Sequence, residues 1–208
     1  MKKTIQSAFL ISIFLSQSAY SLTIGGENEL DITGSEFAVY AYDSSTVTVL
    51  PWANVSWLYG YDDSTINVSD GTSVSWLYGY GNSNLNVDGG DISWLHVYDN
   101  SQTDISFLYD LSWLVVNDNA VVNIYGSDFS YENGHLSGRW NNGYSFRFWA
   151  LEEADLSSGN IRSLLPDNIV LHMASVPEPS PSAVFGAGIL LLAASRRGGR
   201  IAFKRSSM

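Results

Sequence analysis

The sequence predicts an all-β chain: a parallel β-solenoid (β-helix) of about five coils of ~19 residues, with a C-terminal β-hairpin cap and a short apolar C-terminal helix. Three observations predict it. The first is self-similarity. Ser56–Val74 reads SWLYGYDDSTINVSDGTSV, Ser75–Ile92 SWLYGYGNSNLNVDGGDI, Ser93–Leu111 SWLHVYDNSQTDISFLYDL and Ser112–Phe129 SWLVVNDNAVVNIYGSDF, with a more divergent copy at Ser35–Val55. Equivalent apolar positions Val49, Val68, Val87, Ile105 and Ile124 recur at 19, 19, 18 and 19 residues, a period too short for the common helical repeats of roughly 33–47 residues. The second is alternation. Val47/Val49, Ile66/Val68, Leu85/Val87 and Val122/Ile124 flank Thr48, Asn67, Asn86 and Asn123, the period of 2 that marks a half-buried strand. The third is turn chemistry. Asp62-Asp63, Gly81-Asn82, Asp99-Asn100 and Asp118-Asn119 separate the strand-like runs, and Gly71, Gly89 and Gly90 mark a second corner.

Two all-β folds accommodate such a repeat. In a solenoid each repeat is one coil, stacked on the next at ~4.8 Å, so that like residues stand over like residues. In an antiparallel meander each repeat is a hairpin, which has no need of such strict identity. The solenoid is favoured for that reason. Solenoid ends expose unpaired backbone, so caps are expected on both sides of the repeats at 35–129. Residues 22–34 supply the N-terminal one. Residues 130–175 supply the other, with His135–Trp140 and Tyr144–Leu151 paired through an Asn141-Asn142-Gly143 turn, and Asn168–Met173 as a last strand.

The termini read as addresses. Lys2 and Lys3, the apolar run Ala8–Leu15 and the small residues Ala19 and Ser21 have the order of a secretory signal peptide over 1–21, cut after Ser21. No cysteine occurs anywhere in the chain, so stability has to come from packing. At the other end an uncharged run from Pro179 to Ser195 precedes Arg196, Arg197, Arg200, Lys204 and Arg205. That is a stop-transfer pattern, and seventeen helical residues span about 26 Å, short of a ~30 Å hydrocarbon core.

The segment 176–208 resembles a PEP-CTERM sorting signal. Val176, Pro177, Glu178, Pro179 and Ser180 form its motif, followed by an apolar helix and a basic cluster, here interrupted by Gly198 and Gly199. The resemblance covers about the last thirty residues and implies recognition by an exosortase in the inner membrane. It also implies removal of the transmembrane helix and delivery to the cell surface or an exopolysaccharide matrix.

Charge narrows the partners. Apart from the two basic ends and Glu178, the chain carries 20 acidic residues against Arg139, Arg147 and Arg162, a net charge near −17. Nucleic acid is excluded as a partner, because phosphate binding needs clustered Lys and Arg. A lyase needs a Lys or Arg base, and the repeats 35–129 contain neither. Asp62 and Asp63 are adjacent and diverge in a turn, which does not suit the two carboxylates of a hydrolase. His96, His135 and His172 are scattered, so no catalytic or structural metal set is legible. Asp62/Asp63, Asp88/Asp91 and Asp99/Asp104 offer hard oxygen atoms, but their spacing fits neither the EF-hand nor the calcium nonapeptide. No cofactor is expected, with weakly held calcium as the one alternative.

Trp57, Trp76, Trp94 and Trp113 share one repeat position and Tyr59, Tyr78 and His96 another, so stacked coils turn them into ladders. An exposed ladder is a platform for sugar rings; a buried one is core. Val55, Trp57 and Tyr59 share one parity and Ser56, Leu58 and Gly60 the other, and a bend at Ser56 swaps them, so both readings stand. The expectation is a biofilm-matrix or cell-surface structural or adhesive protein that is not an enzyme. A carbohydrate-binding module and, less favoured, a polysaccharide-active β-helix enzyme are the alternatives. Its expected partners are signal peptidase and exosortase during export, the inner membrane transiently, and extracellular polysaccharide or a second copy of itself.

Overall fold

A computed structural model describes residues 20–159, 161 and 163–173. The leader cleavage residue Ala19, the sorting motif Val176–Ser180 and the basic cluster lie outside them. The body is all-β with almost no helix. Strand pairs follow one another along the chain: β1 (Ser21–Ile24) and β2 (Glu29–Ile32), β3 (Ser35–Ala41) and β4 (Thr46–Val49), β5 (Asn54–Gly60) and β6 (Thr65–Ser69). Then come β7 (Ser73–Gly79) and β8 (Asn84–Asp88), β9 (Asp91–Val97) and β10 (Gln102–Phe107), β11 (Asp110–Val116) and the longer β12 (Val121–Glu132). After them stand β13 (His135–Trp140), β14 (Ser145–Glu152), the helix α1 (Glu153–Ser158) and β15 (Ile169–Met173).

The five sequence repeats are five turns of a parallel β-solenoid. Odd strands stack in parallel as β1-β3-β5-β7-β9-β11-β14, and even strands as β2-β4-β6-β8-β10-β12, with β15 also parallel to β12. Register is like on like: Trp57 pairs Trp76, Leu58 pairs Leu77 and Val68 pairs Val87. Residues 22–34, expected as an end cap, themselves continue the coiling, since β1 and β2 pair in parallel with β3 and β4. At the other end β12, β13 and β14 pair antiparallel, and this meander joins the two parallel ladders into one sheet. Helix α1 was not expected. It begins where the Glu152 N–H donates to Asp155 Oδ2 at 3.3 Å and stops at Gly159 in the left-handed region, the usual start and stop chemistry of a helix.

Packing explains the repeat positions. One interior column is Val39, Leu58, Leu77, Leu95, Leu114, and another is Val49, Val68, Val87, Ile105, Ile124, all essentially buried. Gly60 and Gly79 are interior too: a Cβ on Gly60 would crowd Ser64 and Ser83, and one on Gly79 would crowd Ser83 and Ser101. At the turns Asp43, Asp62, Asp99 and Asp118 adopt φ of 54–57°, a left-handed conformation that Asp tolerates better than most residues. Their carboxylates also tie the coils. Asp62 Oδ2 accepts the Asp43 N–H at 3.2 Å, and Asp99 Oδ2 accepts the Gly81 N–H at 2.9 Å. On the outer face of the even strands, Asn86 Nδ2 donates to Asn67 Oδ1 at 2.9 Å, and Asn123 Nδ2 to Asp104 Oδ1 at 2.8 Å.

One interior column contains a misfit. Val47, Ile66, Leu85 and Val122 are apolar, but Thr103 stands between the last two, with its hydroxyl buried and unpartnered. Thr103→Val removes an unsatisfied polar group at nearly constant volume and is expected to stabilise the fold by about 1–2 kcal/mol. Leu77→Ala, in the neighbouring column, is expected to cost about 2–5 kcal/mol. Urea midpoints measure both, and a lower midpoint for Thr103→Val would contradict this account.

Candidate functional site

The parity of the aromatic ladders is settled by a bend. Val55 is interior, and so is Leu58, three residues later, while Ser56 drops out of the strand pairing. The bend turns Trp57 and Tyr59 outward. Trp57, Trp76, Trp94 and Trp113 form a column with ring centroids 5.0, 4.8 and 5.0 Å apart and planes within 10°. Trp149 of β14 adds a fifth ring at 5.1 Å, brought there by the pairing of β11 with β14. Beside it Tyr40, Tyr59, Tyr78 and His96 form a second column at 4.9, 4.9 and 5.1 Å. Tyr42, Tyr61, Tyr80 and Tyr98 form a third at 4.8, 5.2 and 5.1 Å.

These indoles and phenols are mostly half-buried, because each ring covers its neighbour. The column is therefore neither core nor open platform. Ring faces are spent on one another, and the edges meet solvent. Each stacked pair contributes about 0.5–1.5 kcal/mol beyond the area it buries. One end differs. Ala38 takes the Trp position in the preceding coil, so the outer face of Trp57 borders a hollow of about 240 Å³ lined by Phe37, Ala38, Tyr40 and Tyr59. At the other end His135 lies over Trp149, with ring centroids 3.7 Å apart.

Electrostatics follow the stacking. Burial raises the phenols of Tyr61 and Tyr78 to about 12, with neighbouring tyrosines adding to it, and it raises Tyr59 and Tyr80 as well. Tyr98 is raised further by burial and by donating to Glu153 Oε2 at 2.9 Å. His96 Nδ1 lies 3.0 Å from the Tyr98 hydroxyl, and burial lowers its pKa. This His96–Tyr98–Glu153 chain ties α1 to the ladders.

Of the aspartates considered for calcium, Asp62, Asp63 and Asp99 lie in the turns that follow odd strands, whereas Asp88, Asp91 and Asp104 lie on β8, β9 and β10. Among the described residues no group of three or more His, Cys, Asp or Glu gathers to hold a metal.

Sequence reasoning missed a second concavity. A cleft of about 430 Å³ lies at the second corner of the coils, lined by Asp70, Asp88, Ser106, Phe107 and Tyr109 and by Asn141, Asn142 and Tyr144 of the β13–β14 turn. Its one sequence signal is the 18-residue spacing of Asp70, Asp88 and Ser106. The turn that closes it is remote in sequence. No protein-family model, curated protein or solved structure matches the chain, so the geometry itself defines the class: a β-solenoid faced with self-stacked aromatic columns.

The raised phenols make a pH prediction. An unfolded chain ionises its tyrosines near pH 10, whereas the folded one holds them protonated above that. The folded state thus binds more protons there, and stability falls as pH rises from about 10 to 12. Phenolate absorbance is expected to appear late and together with loss of the β-type circular dichroism. Full ionisation near pH 10 with intact dichroism would refute the stacking account.

Proposed function

We propose that this chain is an exported surface or extracellular-matrix protein whose role is structural or adhesive, and that it performs no catalysis. Its export and sorting rest on the order of features at the two ends: a basic–apolar–small leader over 1–21, and Val176-Pro177-Glu178-Pro179-Ser180 followed by an apolar run and Arg196, Arg197 and Arg200. In this reading signal peptidase cuts after Ser21, and the C-terminal apolar helix holds the chain in the inner membrane until an exosortase cleaves near Pro177–Ser180. The released body then enters the cell-surface matrix.

The observation that carries the structural role is the run of aromatic columns along the outside of the solenoid. A chain without cysteine cannot use disulfides to survive outside the cell. Stacked rings and Asn ladders stiffen successive coils without them. The β13–β14 hairpin closes the C-terminal end of the solenoid in this reading, and the N-terminal coil closes the other. A carbohydrate-binding role is the second reading, favoured by the corner cleft rather than by the ladder, whose ring faces are occupied.

Processing decides the first part. Intact mass of the protein recovered from the cell surface is expected to correspond to a chain starting near Leu22 and ending near Ser180. A surface species that retains Arg196–Met208 would sink the sorting claim.

A further inference from the structure

We infer that the cleft between the Asp70–Asp88 corner and the Asn141–Tyr144 turn binds one pyranose ring of a saccharide that carries no acid group. The inference deepens the matrix reading above, since it names what the surface protein would hold. The volume, about 430 Å³, falls within the ~300–1,000 Å³ usual for small-molecule sites.

The cleft exists because the third coil is bare at this corner. Gly89 and Gly90 take φ of 122° and 85°, and a Cβ on Gly89 would sit 2.5 Å from Asp70 Cα. Neither of these two positions carries a side chain.

Its aromatics differ from those of the columns. Phe107 meets Tyr109 edge-on at 4.7 Å and 75°, and Tyr109 meets Tyr144 at 6.3 Å and 76°. Tyr109 and Tyr144 are 57% and 61% exposed. An edge-to-face contact covers one face of only one ring in each pair, so these exposed rings keep open faces, and an open ring face is what the apolar C–H face of a pyranose needs.

The polar groups suit sugar hydroxyls. Asp88 Oδ1 accepts from Ser106 Oγ at 2.6 Å, and the charge of Asp70 beside Tyr109 holds that phenol above its ordinary value. A carboxylate offers about four lone-pair sites, so both retain acceptors for a ligand. The carboxamides of Asn141 and Asn142 add donors. The lining holds two carboxylates and no cation, which favours hydroxyl or ammonium donors and repels uronates. Trp52 stands at the same corner one coil before Asp70 and outside the cleft lining. Its backbone N–H donates to Gly71 O at 3.0 Å, and it is 84% exposed at φ 72°, a conformation rare for so bulky a residue.

Calorimetric titration of the full-length chain tests this. The probes are cellohexaose and maltohexaose as neutral oligomers, a chitosan hexamer as the cationic one, an oligogalacturonate as the acidic control, and calcium chloride alone. At least one non-acidic hexamer is expected to bind, and the neutral and cationic arms identify which donor the carboxylates select. Tyr144→Ala and Tyr109→Ala are each expected to weaken binding about tenfold, the effect of losing one stacking ring. Both sites are exposed, and unchanged melting temperatures confirm the fold is intact. Asp88→Asn is expected to weaken the cationic probe most. The proposal is overturned if no non-acidic hexamer binds, if the oligogalacturonate binds best, or if binding survives both tyrosine changes. Calcium binding that needs Asp88 but ignores Tyr144 also overturns it, in favour of a cation site. Binding is measured on purified chain, so a failure of export or sorting leaves this result standing.

Discussion

Parallel pairing between successive coils holds each residue about one strand spacing above its counterpart, and everything else in the molecule depends on that register. Leucine stacks on leucine inside, indole on indole outside, and Asn86 on Asn67 along the even strands. A slip of one residue would send every interior side chain outward. The register survives even though the third coil is one residue shorter than its neighbours. Three residues separate β6 from β7, and only Gly89 and Gly90 separate β8 from β9. Two glycines at positive φ absorb the missing residue at the corner, so the strands on either side keep their pairing. The same economy strips the corner of side chains and opens the cleft. A packing accommodation and a candidate binding site thus share one cause.

Much of this was legible in the sequence. The repeat, the alternation of Val47 and Val49 with Thr48, and the Asp and Gly turns are short-range signals, and stacked coils turn short-range signals into the whole fold. What was illegible depends on geometry that strings of letters do not carry. The inward parity of β5 changes at Ser56, so no count along Val55–Tyr59 could place Trp57 on one face or the other. Trp149 joins the tryptophan column from outside the repeats, through a strand that arrives by a detour along β13. The cleft combines corner residues from separate coils with a turn that follows the last repeat. Helix α1 had caps in its sequence, but six residues make no periodic signal.

The two ends of the solenoid are treated differently. At the C-terminal end the β12–β13–β14 meander links the odd and even ladders, so the edge of β14 is covered by β13. At the other end β1 and β2 are the outermost strands of the sheet. Glu29 and Asp31 are exposed on β2, and charge on an outer strand discourages pairing with another sheet. The acidity of the body thus has a local use as well as a global one.

The hexapeptide at Ser56–Tyr61 is identical to that at Ser75–Tyr80, and in space the two are neighbouring rungs that stack residue on like residue. Such duplicated segments are points where a gene can recombine out of step with itself. An exchange there inserts or removes one entire coil, with both seams falling at equivalent places, so the product inherits complete ladders of leucine, tryptophan and tyrosine. Length in this architecture is therefore a heritable variable that can change in a single event, without any new solution to the packing problem.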